Sequence, residues 1–196
     1  MMASALQSPP ASVPVRKYFP DLKASALAWA AAGFRVYPCE PLGLKPLEED
    51  GVASASCNAR LVDLWWSQWP NANIGLALGH GVIALRLRNP HAALLLGRVG
   101  LNRKVLHQFK TFSFRRPHLG RVYLFRWDAP VHVPSNKRVL FGRSHVSILG
   151  TDDGLLVPPS RLASWKYRFP DGRGVPSRAS LAPWSAVVPF LERCQQ

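Results

Sequence analysis

Apolar residues near the start of the chain recur at helical intervals. Leu22, Ala26, Trp29 and Ala30 fall on one face of a helix that Asp21 can cap and Gly33 can stop. Residues 34–38 then read as a short strand, and Pro41, Gly43, Pro46 and Gly51 make residues 39–56 a loop that carries Lys45 in the tripeptide Lys45-Pro46-Leu47. Helical spacing returns over residues 59–69, with Asn58 as cap and Pro70 as stop. Leu61, Leu64, Trp65 and Gln68 share one face of this helix, and Val62, Trp66 and Trp69 the neighbouring one. Tryptophans at this spacing read as core.

The period then falls to two. Residues 73–78 and 82–88 read as strands joined by the turn triplet Gly79-His80-Gly81. In the second strand Ile83, Leu85 and Leu87 face one side, and Val82, Ala84, Arg86 and Arg88 the other. Arg86 and Arg88 are thus presented on the same face, about 6.5–7 Å apart. Asn89-Pro90 is a helix start, since asparagine caps and proline fits the first turn. That helix runs towards Leu96, and a further one covers residues 101–109. From Thr111 the pattern is β: a hairpin of 111–115 with 121–127, strands near Val139, 146–149 and 155–157, and an edge strand over 165–169. A final helix over 183–193 is interrupted at Pro189. No internal repeat is present. Helices and strands alternate first and strands dominate later, which predicts an α/β or α+β domain.

Composition narrows the class. The 196 residues, 47% apolar, suit one globular domain over residues 20–196, behind a flexible leader over 1–19 that contains Pro9, Pro10 and Pro14. The apolar runs are too short to span a membrane and no secretory segment opens the chain, so a soluble cytoplasmic protein is expected. Cys39, Cys57 and Cys194 have neither disulfide nor zinc spacing. The net charge is +14, and it is uneven: residues 1–98 carry nine Lys and Arg against six acids, residues 99–196 sixteen against five. Such an excess points to a polyanionic partner, with nucleic acid first among them and a solvated basic surface as the alternative.

Several motifs together resemble the bifunctional DNA primase/polymerase (prim-pol) domain of the archaeo-eukaryotic primase superfamily, over most of residues 24–184. They are ALAWAAAGFRVYP up to Pro38, Lys45-Pro46-Leu47, WWSQWPNANIGLALG up to Gly79, Val157-Pro158-Pro159-Ser160-Arg161, and Tyr167. The resemblance implies a mixed sheet flanked by helices around an open cleft, template-directed nucleotide addition, and a divalent metal, Mg²⁺ or Mn²⁺.

The family's chemistry rests on three motifs, and each is altered. Its Asp-x-Asp pair, hard oxygen ligands for the metal, corresponds to Arg86-Leu87-Arg88. Its small residue, spacer and histidine correspond to Gly120-Arg121-Val122, and Ser147 stands where a third acid completes the metal site. Asn58 also replaces an acid common before the second helix. Arginine cannot shed its proton in a protein, so such a face repels Mg²⁺. Asp152, Asp153 and His118 are nearby alternatives, but all fall in turns and read as solvated turn residues.

The expectation is therefore a catalytically inactive relative that needs no cofactor. It binds nucleic acid, DNA rather than RNA, in a replication or mobile-element setting through Lys45, Arg86, Arg88, Arg115, Arg116, Arg121 and Arg161. Two alternatives are an active primase/polymerase with a rebuilt metal site and a non-catalytic scaffold. The chain has no phosphate loop of a helicase motor, so any replication role requires partners such as a helicase.

Overall fold

The computed structural model describes residues 21–116, 120–128, 138–140, 146–170 and 174–193, with backbone alone for 138–140. The expected leader, His118 and Cys194 lie outside the described residues. Five α-helices are described: α1 Leu22–Ala31, α2 Ala59–Gln68, α3 Pro90–Arg98, α4 Arg103–Gln108 and α5 Val188–Glu192. Ten strands accompany them: β1 Val36–Cys39, β2 Asn73–Ala77, β3 Val82–Leu87, β4 Ser113–Arg115, β5 Arg121–Arg126, β6 Arg138–Leu140, β7 Val146–Leu149, β8 Gly154–Leu156, β9 Arg161–Leu162 and β10 Trp165–Lys166.

The sequence signals for helix starts are used as expected. Asp21 accepts from Ala24 N at 2.9 Å, Asn58 from Arg60 N at 2.9 Å and Asn89 from Ala92 N at 3.1 Å. Within α2 the buried side chains are Val62, Trp65 and Trp66, whereas Leu61 and Leu64 are 36% and 60% exposed. The large indoles therefore decide which side of the apolar stripe turns inward. Pro189 lies in the first turn of α5 rather than interrupting a helix, because a separate 3₁₀ turn, Trp184–Ala186, precedes it.

The strands form a five-stranded sheet, β4-β5-β3-β7-β6, a three-stranded sheet, β1-β2-β8, and the hairpin β9-β10. Every ladder is antiparallel; parallel pairing among the described residues is confined to an isolated bridge between Arg126 and Pro183. The architecture is α+β. Adjacent in sequence and joined by the turn triplet, β2 and β3 nevertheless enter different sheets. Gly79, His80 and Gly81 all have positive φ (84°, 46° and 88°), so the chain turns through three left-handed residues and crosses over.

Two cores lie on opposite faces of the five-stranded sheet, as the alternation along β3 requires. Val82 and Ala84 join Val122, Leu124 and Leu149 against α1, α2 and the three-stranded sheet. Ile83, Leu85 and Leu87 join Tyr123, Phe125 and Ile148 against α3, α4 and α5. Among the described residues no helix is long and apolar enough to cross a membrane.

Candidate nucleic-acid interface

Strand β3 is the centre of the five-stranded sheet, and its register brings three distant sequence positions into one row. Arg86 lies opposite Val122 on β5 and opposite Ser147 on β7, and Val122 lies opposite Phe114 on β4. Neighbouring strands are about 4.8 Å apart, so Arg86, Val122 and Ser147 line a span of roughly 10 Å on one sheet face. Each of the three altered motifs contributes one member of that row.

Arg86 is half-buried. Its Nη2 donates to Ser147 Oγ at a long 3.4 Å, Ser147 itself is 1% exposed, and the buried Nε of Arg86 has no hydrogen-bond partner. Burial pushes the Arg86 guanidinium down to about 10, helped by the like charges of Arg116 and Arg88 and opposed by Asp153. It remains a cation at neutral pH. Arg88 is exposed just beyond the strand, where Asn89 turns the chain into α3. Gly120 closes the same end: a Cβ there would stand 2.7 Å from the Leu87 carbonyl oxygen and 2.8 Å from that of Arg88. A small residue two positions before Val122 is thus required by backbone approach, whatever the chemistry.

A divalent ion does not fit this row. It offers a guanidinium, an aliphatic side chain and a hydroxyl in place of carboxylates, and no group of three or more His, Cys, Asp or Glu able to hold a metal occurs among the described residues. Asp153 Oδ2 accepts from Gly150 N at 3.1 Å and closes its own turn. Asp152 occupies the left-handed position of that turn, with φ 63°.

A second site lies at the β4 edge of the same sheet. Beyond the edge strand β4 a cleft of about 900 Å³ is lined by Arg103 and His107 of α4, Arg115 and Arg121 of the β4-β5 pair, and Arg161, Lys166 and Arg168 in and after the β9-β10 hairpin. Leu42, Phe114, Trp165 and Phe169 supply its apolar wall, and among the described residues no acidic side chain lines it. Arg121 is held in place: Nη1 donates to Ser113 Oγ at 2.9 Å, and its guanidinium lies 5.9 Å from the Tyr123 ring centroid.

The hairpin is fixed over this edge by the residues that carried the resemblance. Asn73 is 2% exposed, and its Nδ2 is shared among the carbonyls of Glu40 (3.2 Å), Gly43 (3.0 Å) and Arg161 (2.6 Å), while its Oδ1 accepts from Arg161 N at 2.8 Å. Ser160 Oγ accepts from Ile74 N at 2.8 Å, and Trp29 Nε1 donates to Pro158 O at 2.9 Å. The Asn-containing block and the Pro-Pro-Ser block therefore occur together because they bond to each other.

The seven expected phosphate-binding residues do not converge on one cleft. Arg115, Arg121 and Arg161 line the edge cleft; Arg86, Arg88 and Arg116 interact as a separate group around the β3 row. Lys45 is exposed in its loop, where its carbonyl accepts from Glu40 N at 2.8 Å, and it lines neither. The division arises from register: Arg115 pairs with Arg121 and Arg121 with Leu87, one step from the row of Arg86 and Val122, so they stand on the opposite face of the sheet from Arg86. Arg103, Lys166 and Arg168 line the edge cleft without being among the seven expected phosphate-binding residues. Their signal was the charge of the second half of the chain, but only the packing of α4 and the docking of β9-β10 bring them together at β4.

Comparison with curated proteins gave no match. The model of the family "Bifunctional DNA primase/polymerase, N-terminal" matches residues 26–184, a stretch that includes the β3 row, the edge cleft and both blocks that bond across Asn73 and Ser160. With most of its length so matched, the chain belongs to the bifunctional DNA primase/polymerase N-terminal family.

Proposed function

We propose that this primase/polymerase-like protein binds nucleic acid, DNA in the first place, without catalysing nucleotide addition. The observation that carries the reading is the row Val122–Arg86–Ser147, in which the positions of all three altered motifs are paired across adjacent strands with a guanidinium at the centre. Where the family's chemistry needs carboxylates to gather a metal, these residues present fixed positive charge. Arginine binds phosphate oxygens through a planar fork without a metal as intermediary. Arg88 and Arg116 add charge beside Arg86, and the edge cleft adds a second basic surface on the same sheet. The setting is one of replication or a mobile element, with a helicase or similar replication protein as partner.

The test is paired. Fluorescence anisotropy of labelled DNA against salt is expected to show binding that weakens steeply as salt rises, and Arg86→Glu/Arg88→Glu is expected to lower affinity about tenfold or more and flatten the salt slope. Primer extension with Mg²⁺ or Mn²⁺ is expected to give no product. Clear extension, or unchanged binding by the double variant, would overturn the reading.

A further inference from the structure

We infer that the cleft beyond β4 is a binding site for single-stranded nucleic acid, distinct from the β3 row, that grips phosphates with Arg103, Arg115, Arg121, Lys166 and Arg168 and stacks an unpaired base on Trp165. This inference rests on the proposal that the protein binds nucleic acid, and adds the place and the form of the ligand.

Three observations converge on it. First, the charge is one-sided. Cations from α4, from the β4-β5 pair and from the hairpin segment meet around about 900 Å³, and among the described residues no carboxylate lines the space to neutralise them. Such an arrangement costs mutual repulsion, which a polyanion relieves. Second, the apolar wall is aromatic. Trp165 and Phe169 are half-buried at the cleft, with Phe169 stacked on Trp29 behind it at 6.3 Å and 19°. A cationic groove interleaved with aromatic faces suits unstacked bases, because a base within a duplex has its faces covered by its neighbours. Its volume is that of a pocket for a small ligand or a few residues of a flexible chain, not of a groove for a double helix.

Third, the site is held rigid. The Asn73 amide ties Arg161 to the carbonyls of Glu40 and Gly43, and so sets the hairpin and the loop bearing Leu42 on either side of the opening. Leu42 is 56% exposed, with φ 58°, and lines the cleft. An apolar side chain displayed in this way can wedge against a splayed base.

The experiment uses the full chain and compares anisotropy of a labelled oligo(dT) strand with that of a labelled duplex hairpin. It is run on the wild type, on Arg103→Glu/Arg168→Glu and on Arg86→Glu/Arg88→Glu, with circular dichroism as the check on folding. The wild type is expected to prefer the single strand by about tenfold. Arg103→Glu/Arg168→Glu is expected to lose at least about tenfold in single-strand affinity, and its log–log salt slope to fall by about 1.4, from two phosphate contacts at about 0.7 each. A salt slope that changes in a folded variant is a readout that structural damage alone does not move. Equal affinity for the duplex, single-strand binding unaffected in Arg103→Glu/Arg168→Glu, or displacement of the strand by equimolar nucleoside triphosphate would each overturn the inference. In those cases a loss confined to Arg86→Glu/Arg88→Glu leaves the proposed function standing. A wild type that binds neither ligand defeats the proposed function itself.

Discussion

Arg86 holds a charged group at the centre of a sheet with its Nε shut off from water and unpartnered, its Nη2 bonded to Ser147 only at 3.4 Å. Burial of a polar atom without a hydrogen bond costs roughly 1–3 kcal/mol, and like charges from Arg88 and Arg116 add to that cost. Nothing in the packing of β3 requires it, since Val82 and Ala84 on the same face pack as ordinary core. Replacing it with an unbranched apolar side chain separates stability from binding. Arg86→Met is expected to raise the unfolding free energy by about 1–2 kcal/mol in urea titration while weakening DNA binding. A less stable Arg86→Met protein would contradict the view that this arginine is strained.

The alternation of β3 was legible from the sequence, down to which side chains shared a face with Arg86. The lost Nε partner was not, because it depends on what β5 and β7 bring alongside. Val122 and Ser147 are respectively too apolar and too short to reach it.

At the scale of elements, the β9-β10 hairpin is small and is attached to β2 through the buried Asn73 amide and the Ser160 hydroxyl that precedes it. Asn73→Ala removes the donor shared by three carbonyls and the acceptor of Arg161 N. It is expected to destabilise the fold by about 2–4 kcal/mol. Because Arg161, Trp165 and Lys166 are carried by that hairpin, single-strand binding is expected to fall as well. Chemical denaturation and anisotropy on the same preparation check both, and a variant as stable as wild type would show that the amide does not fasten the hairpin.

Caps and stops made most helices readable, since Asp21, Asn58 and Asn89 act locally. The crossing between sheets was not readable. Gly79-His80-Gly81 has the composition of a tight hairpin turn, and only its three successive left-handed residues send β2 and β3 apart. The face of α2 was readable as a stripe but not as a direction, since Leu64 and Trp65 compete for the same core and the larger ring wins.

On the whole molecule, charge and fold divide the work. The net charge of +14 was evident from composition, and the family from its motif blocks. What composition leaves open is where the charge gathers. The fold gathers it in two places, around β3 and at the β4 edge of the same sheet. Both places gather arginines, whose planar fork matches phosphate oxygens, and the proposed function rests on that match.

The most direct measurement is therefore binding of a short DNA single strand by anisotropy across a salt series in excess EDTA. Fixed arginines predict full affinity without divalent ions, with a log–log slope of about −3 to −4 for roughly five phosphate contacts. Binding that vanishes in EDTA and returns with Mg²⁺ or Mn²⁺ would contradict the account.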